Sequence, residues 1–107
     1  YYNIIMIRAE LTKSNKPEKR FKVVVEDDFK NKKKTIHFGS GKPKGKGAYI
    51  DHNDDKIKDA WEARHKVRED WTDYFTAGFW SKWVLWNKKT LSDSLEDLEK
   101  RFKIELS

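Results

Sequence analysis

Two groups of residues have the chemistry to hold phosphate. The first is Gly39-Ser-Gly-Lys-Pro-Lys-Gly-Lys-Gly47, a glycine-rich loop carrying Lys42, Lys44 and Lys46. Backbone N–H groups of such loops cradle phosphates, and lysines neutralise the charge. A nucleotide-hydrolysing loop needs four residues between its glycines, then Gly-Lys-Ser/Thr opening into a helix. Here three residues separate Gly41 from Gly45, Pro43 interrupts, and Gly47 follows Lys46 where a metal-holding hydroxyl is required. A P-loop is therefore excluded. A cationic loop touching phosphates and a solvated connector both remain. The second group is Arg64, Lys66 and Arg68, lying between Trp61 and Trp71. Cations interleaved with aromatics hold single-stranded nucleic acid. Cations near a helix C-terminus also complement its dipole, so a purely structural role explains the same residues.

Other chemistry lacks its residues. His37, His52 and His65 sit on a strand, a loop and a helix, without metal-ligand spacing. No Gly-x-Ser-x-Gly elbow is present, and with no cysteine there is neither a thiol nucleophile nor a disulfide. The carboxylates cluster in first turns of helices, where capping accounts for them. The expectation is a protein that is not an enzyme, with no catalytic residues, metal, cofactor or small-molecule substrate.

The positioning framework must come from one modest core, because 107 residues make most simply one domain. Charged residues form 39% and the hydrophobic set 36%, and a 14% aromatic share compensates for the thin apolar side. A net charge of +6 favours polyanionic partners, whether nucleic acid, an anionic surface or an acidic protein face. No run is long enough to span a bilayer. Tyr1–Ile7 is apolar but lacks the basic start and small-residue cleavage site of a secretory signal, so an intracellular location is expected.

The N-terminal part reads as strands. From Ile4 to Thr12, Ile5, Ile7, Ala9 and Leu11 alternate with polar residues, and Phe21, Val23 and Val25 do so within Phe21–Glu26. Lys34–Phe38 supplies a third strand through Ile36 and Phe38, and Phe29 is the odd apolar residue in the polar turn before it. Asn53 or Asp54 caps the next helix, whose inner stripe is expected to hold Ile57, Ala60, Trp61, Arg64 and Val67, ending at Trp71. Thr90 opens a last helix with Leu91, Leu95, Leu98 and Phe102 on one stripe. Beyond it Phe102, Ile104 and Leu106 alternate, as a tail running extended along the sheet would.

The centre of this framework is Thr76-Ala-Gly-Phe-Trp-Ser-Lys-Trp-Val-Leu-Trp86, which holds three of the five tryptophans. As one α-helix capped by Thr76, it puts Phe79, Trp83 and Trp86 on one face, with Trp80 and Val84 beside them. Trp83 is then expected to be the most buried tryptophan. These aromatics, with Trp61 and Trp71, serve either as core or as outward partner anchors. The expected fold is α+β: a three-stranded antiparallel N-terminal sheet packed by about three C-terminal helices. Residues 1–38 form the meander, 39–53 the Gly/Lys-rich loop and 54–107 the helical part.

Four segments carry a resemblance: Lys34-Thr-Ile-His-Phe-Gly39, Arg64-His-Lys-Val-Arg-Glu-Asp-Trp71, Thr76 through Asn87-Lys88, and Thr90-Leu with Lys100-Arg-Phe102. Together they resemble a family of small basic proteins of large DNA viruses of algae and amoebae and of some protists. The family's Gly-Tyr-Ser-Asp-Tyr-like run after the third strand is replaced here by the longer Gly-Lys repeat and Gly47-Ala-Tyr-Ile-Asp-His52. The resemblance brings no catalytic residues. It implies a viral origin, a location in the virion or host cell interior, and a structural role such as a minor capsid or capsid-associated component binding larger subunits. The alternative is a small basic nucleic-acid-binding accessory protein, using Lys42, Lys44 and Lys46 with Arg64, Lys66 and Arg68.

Overall fold

Alternating apolar residues become the inner face of a four-stranded sheet. The structure is a computed structural model in which residues 7–41 and 47–107 are described. Strands β1 (Ile7–Lys13), β2 (Lys19–Asp27) and β3 (Lys32–Ser40) form an antiparallel meander. In register, Ala9 faces Val25, Leu11 faces Val23, and on the other side Val23 faces Ile36 and Phe21 faces Phe38. Ala9, Val23, Val25, Ile36 and Phe38 are buried, while Ile7, Leu11 and Phe21 are half-buried at the margin. Ile5 and the expected start of the first strand lie outside the described residues.

A C-terminal strand β4 (Glu105–Leu106) adds to the free edge of β1 in parallel, giving the order β3-β2-β1-β4. The Ser107 amide donates to the Ala9 carbonyl, and the Leu11 amide donates to the Ser107 carbonyl. The expected α+β class holds, and the antiparallel three-stranded sheet is corrected to a mixed four-stranded one. The reason is the Ile104/Leu106 alternation: Ile104 is 1% exposed, and its burial draws the tail onto the sheet.

Among the described residues four α-helices, rather than about three, cover the inner face. The extra one, α1 (Tyr49–His52), is a single turn within the segment expected to be loop. Helix α2 (Asp55–His65) is capped by Asp54, whose carboxylate accepts from the Lys56 and Ile57 amides. It ends before Val67, which is exposed, as are Ala60 and Arg64, so the expected inner stripe reduces to Ile57 and Trp61. Helix α4 (Leu91–Phe102) begins on Thr90, whose hydroxyl accepts from the Asp93 amide, and buries Leu98 with Leu91, Leu95 and Phe102 packed around it.

The tryptophan-rich stretch is not one continuous α-helix. Thr76 caps α3 (Ala77–Trp80), and a π-helical turn, Ser81–Leu85, follows, closed by the Trp86 amide on the Ser81 carbonyl at 3.2 Å. The wider turn shifts the phase of every side chain after Trp80. Trp80 and Val84, placed beside the stripe by regular helical spacing, are both fully buried. Trp80 is therefore the most buried tryptophan, and its indole N–H donates to the Tyr74 carbonyl at 2.8 Å. Trp83 is only half-buried. It swings toward α4, where it meets Phe102 edge-on and donates its indole N–H to the Trp71 carbonyl.

Candidate anion-binding surface

The turn end of the β1–β2 hairpin gathers cations. Pro17 and Ser14 shape the turn, with the Ser14 hydroxyl accepting from the Lys16 amide. Lys13 closes β1, and Lys19 and Arg20 open β2. Together with Lys16, Ser40 and Gly41 they line a cleft of ≈ 540 Å³. Gly47 shapes its rim with φ +83, where a Cβ would meet the Asp51 carboxylate at 2.7 Å.

Arg20 is already engaged, in a two-pronged ion pair with Asp51 at 2.6 and 2.9 Å. That hydrogen bond is the largest cause holding the Asp51 carboxyl below its ordinary value. By contrast, among the described residues no ion pair reaches Lys13, Lys16, Lys19 or Lys22. Their field registers on His37, which hydrogen-bonds Ser14 at 2.8 Å. Partial desolvation, then the positive charge of Lys16 and Lys22, hold the His37 imidazole below its usual value. The arrangement presents to an anion ammonium groups that have no ion pair among the described residues.

Lys42, Lys44 and Lys46 lie outside the described residues, between Gly41 and Gly47, both of which line this cleft. Arg64, in the last turn of α2, and Lys66 and Arg68, just beyond its end, are all exposed, and none of them lines it. The two cationic groups picked out in the sequence are therefore not joined in one cleft. The cluster that sequence reasoning missed is Lys13, Lys16 and Lys19, yet a signal for it exists. Residues 1–46 hold 13 Lys and Arg against 5 Asp and Glu, a net +8; residues 47–107 hold 11 against 13, a net −2. All the excess positive charge belongs to the sheet-forming part and the Gly/Lys loop.

The aromatic residues are turned mainly toward one another. An adjoining groove of ≈ 390 Å³ shares Lys19, Arg20, Ser40 and Gly47 with the cleft and reaches Trp61, His65 and Trp86. Trp61 stacks on Trp86 with centroids 4.8 Å apart, on Trp71 at 5.9 Å and on His65 at 4.2 Å. Phe79 and Trp80 are fully buried, Trp61 and Trp86 nearly so, and Trp71 and Trp83 are half-buried. Among the described residues no tryptophan is exposed: Trp61, Trp80 and Trp86 lie in the core, and Trp71 and Trp83 pack partly buried against it.

A buried cation was also missed. Lys82 lies in the π-helical turn, its side chain 8% exposed, 2.6 Å from Glu62 and 3.2 Å from the Trp86 carbonyl. Its ammonium stands 4.9 Å from the Trp83 ring centroid and 5.4 Å from that of Trp71. Burial pushes the Lys82 ammonium down in pKa, and Glu62 works against that. Among the described residues no group of three or more His, Asp or Glu side chains is arranged to hold a metal ion. No helix among them is long and apolar enough to cross a membrane.

The class defined by this geometry is a small α+β domain with a basic sheet and an aromatic helical layer. Its relatives are found through the sheet: a family model described as "Family of unknown function (DUF5754)" matches residues 9–65. That span is 57 of the 107 residues and runs from β1 through α2, and the chain belongs to this family. No curated protein and no solved structure matches the chain.

Proposed function

We propose that the protein is a non-catalytic nucleic-acid-binding protein, which holds the phosphate backbone at the lysine-lined end of its sheet. The observation carrying this reading is the segregation of charge. A net +8 sits in residues 1–46, and three lysines without ion pairs among the described residues, Lys13, Lys16 and Lys19, line one cleft. Phosphate contacts by lysines release counterions and give binding that tracks charge rather than sequence. The groove lined by Trp61 and Trp86 supplies an apolar wall beside the cationic cleft.

A second reading is a capsid-associated component of a large DNA virus, binding larger subunits within the virion or host cell. Surplus tryptophans as outward anchors no longer favour it, since none is exposed among the described residues. What still favours it is Val67, 81% exposed amid Arg64, Lys66 and Arg68, an apolar contact ringed by charge at the end of α2.

Titration with oligonucleotides at several salt concentrations tests the first reading. Log affinity should fall linearly with log salt, by about 0.7 per neutralised phosphate on a single strand. The triple change Lys13→Gln, Lys16→Gln, Lys19→Gln should flatten that slope by about two. Absence of salt-dependent binding in the unaltered protein would sink it, and loss of assembly on Val67→Asp would favour the second reading.

A further inference from the structure

The β2–β3 turn, residues 28–31, offers an exposed aromatic ring on a fixed base. Phe29 is 76% exposed, one of only two large hydrophobic side chains so placed among the described residues. An isolated exposed apolar residue needs no explanation. This one sits on a turn pinned from beneath. Asp27, 1% exposed, accepts from the Phe29 amide at 2.9 Å, from the Lys30 amide at 3.2 Å and from the Tyr74 hydroxyl. Asn31 takes the left-handed conformation that lets β3 return, with φ 49.

Charge around the ring is one-sided. Asp27 is buried in its own bonds, and Asp28 is fastened to Arg8 by two hydrogen bonds of 3.0 Å. Lys30 and Lys32 lie over aromatic rings, with ammonium groups 5.3 Å from the Tyr74 centroid and 4.4 Å from that of Phe75. Those interactions hold the cations beside the turn without neutralising them. Lys33 is exposed on the opposite face of β3, across from Glu26. An exposed π-face on a turn flanked in the chain by Lys30 and Lys32 complements a ligand that offers both a flat base and a phosphate.

We infer that Phe29 is the stacking contact for an unpaired base of single-stranded nucleic acid, with Lys30 and Lys32 on the flanking phosphates. This rests on the nucleic-acid reading above and narrows it. Bases within a duplex have no free face for Phe29, so the turn discriminates single from double strands. The Lys13–Lys19 cleft lies at the other end of the nine-residue β2, roughly 25 Å away at strand rise. One single strand lying along the sheet touches both ends.

The test uses the full chain and oligonucleotides of about 16 nucleotides, single-stranded and as duplex. Phe29→Ala and Phe29→Leu should each lower single-strand affinity by about 5- to 150-fold, the range for one aromatic–base stack, with the salt slope unchanged. Phe29→Tyr should retain it, and duplex binding should respond to none of the three. Unchanged affinity in Phe29→Ala, or equal losses on duplex, overturns the inference while leaving the salt-dependent reading intact. No binding by the unaltered protein overturns both. A parallel arm uses phosphatidylcholine/phosphatidylserine vesicles. Phe29-dependent vesicle binding, retained in Phe29→Leu and without Phe29-dependent oligonucleotide binding, would show that the ring inserts into an anionic membrane instead.

Discussion

The Lys82 ammonium stands 2.6 Å from the Glu62 carboxylate, joining the π-helical turn to the middle of α2 beneath a cover of Trp71 and Trp83. Lys58 approaches the same carboxylate at 3.3 Å from the solvent side. The carboxyl is held below its ordinary value, since its two lysines outweigh the burial that alone would raise it. The pair fixes where α2 meets the aromatic layer, tying a cation in the π-turn to an anion on the helix.

Breaking this pair should cost more than removing it whole. Glu62→Gln leaves the Lys82 ammonium buried without a counter-charge and should lower stability by about 3 kcal/mol in chemical denaturation. Lys82→Met with Glu62→Gln keeps the volume and removes both charges, and should recover most of the loss. A double variant as unstable as the single would show that the π-turn depends on the charge pair itself.

The tryptophans rank by burial. Trp80→Ala should cost about 3–5 kcal/mol, since it empties the centre of the core and orphans the Tyr74 carbonyl. Trp83→Ala should cost less, because one side of that ring meets solvent-side cations, with Arg101 4.6 Å from its centroid. Thermal melts of the two variants compare them directly, and a larger loss at Trp83 would reverse the ranking.

How much of this is legible in the sequence depends on which forces fix each element. Strand alternation and the caps on Asp54, Thr76 and Thr90 are readable, because period-two burial and side-chain capping are local. The tail strand is readable too, through Ile104 and Leu106. The π-turn is not: Ser81–Leu85 has ordinary helical composition, and what widens the turn is tertiary, namely Lys82 reaching Glu62 and Trp83 reaching the Trp71 carbonyl. Val67 fits a helical stripe by spacing, yet α2 stops at His65. The lysine cleft shows only as a charge imbalance between the two halves of the chain, because residues 13–19 form a cluster only once the hairpin closes.

Acid should unfold the protein through its buried carboxylates. Burial alone would raise Asp27, Glu62 and Asp97; hydrogen bonds from Tyr74, Lys82 and Asn87 outweigh it and bring all three below their ordinary values. Asp51 is lowered first by Arg20. For a carboxyl whose folded pKa is depressed, the unfolded chain binds more protons, so stability is present above the unfolded value and lost as pH falls through the folded one. Denaturation midpoints should therefore hold from neutral pH down to about pH 5 and fall below about pH 4. Tyr74→Phe removes one hydrogen bond to Asp27 and should make that fall shallower.

His37 offers a report of ligand binding independent of affinity. Its imidazole is held below its usual value by desolvation and by Lys16 and Lys22. A phosphate docked among Lys13, Lys16 and Lys19 cancels that positive field, so the His37 pKa should rise on adding oligonucleotide. Proton NMR titration of the His37 ring with and without ligand measures this. A pKa unmoved at saturating ligand would place the phosphates elsewhere.

The three cationic groups should separate in salt dependence. Lys13, Lys16 and Lys19 line one cleft without ion pairs among the described residues, so their change to Gln should lower the salt slope by about 0.7 for each phosphate left unneutralised. Arg64, Lys66 and Arg68 lie outside that cleft, next to Glu69 and Asp70 in sequence, and their change to Gln should lower it by less. Lys42, Lys44 and Lys46 join two glycines of the cleft rim, and their change to Gln should resemble the first group. The ordering matters more than any single slope, because a general loss of charge predicts three equal effects. Equal effects would return the binding to net charge alone and remove the cleft from the mechanism.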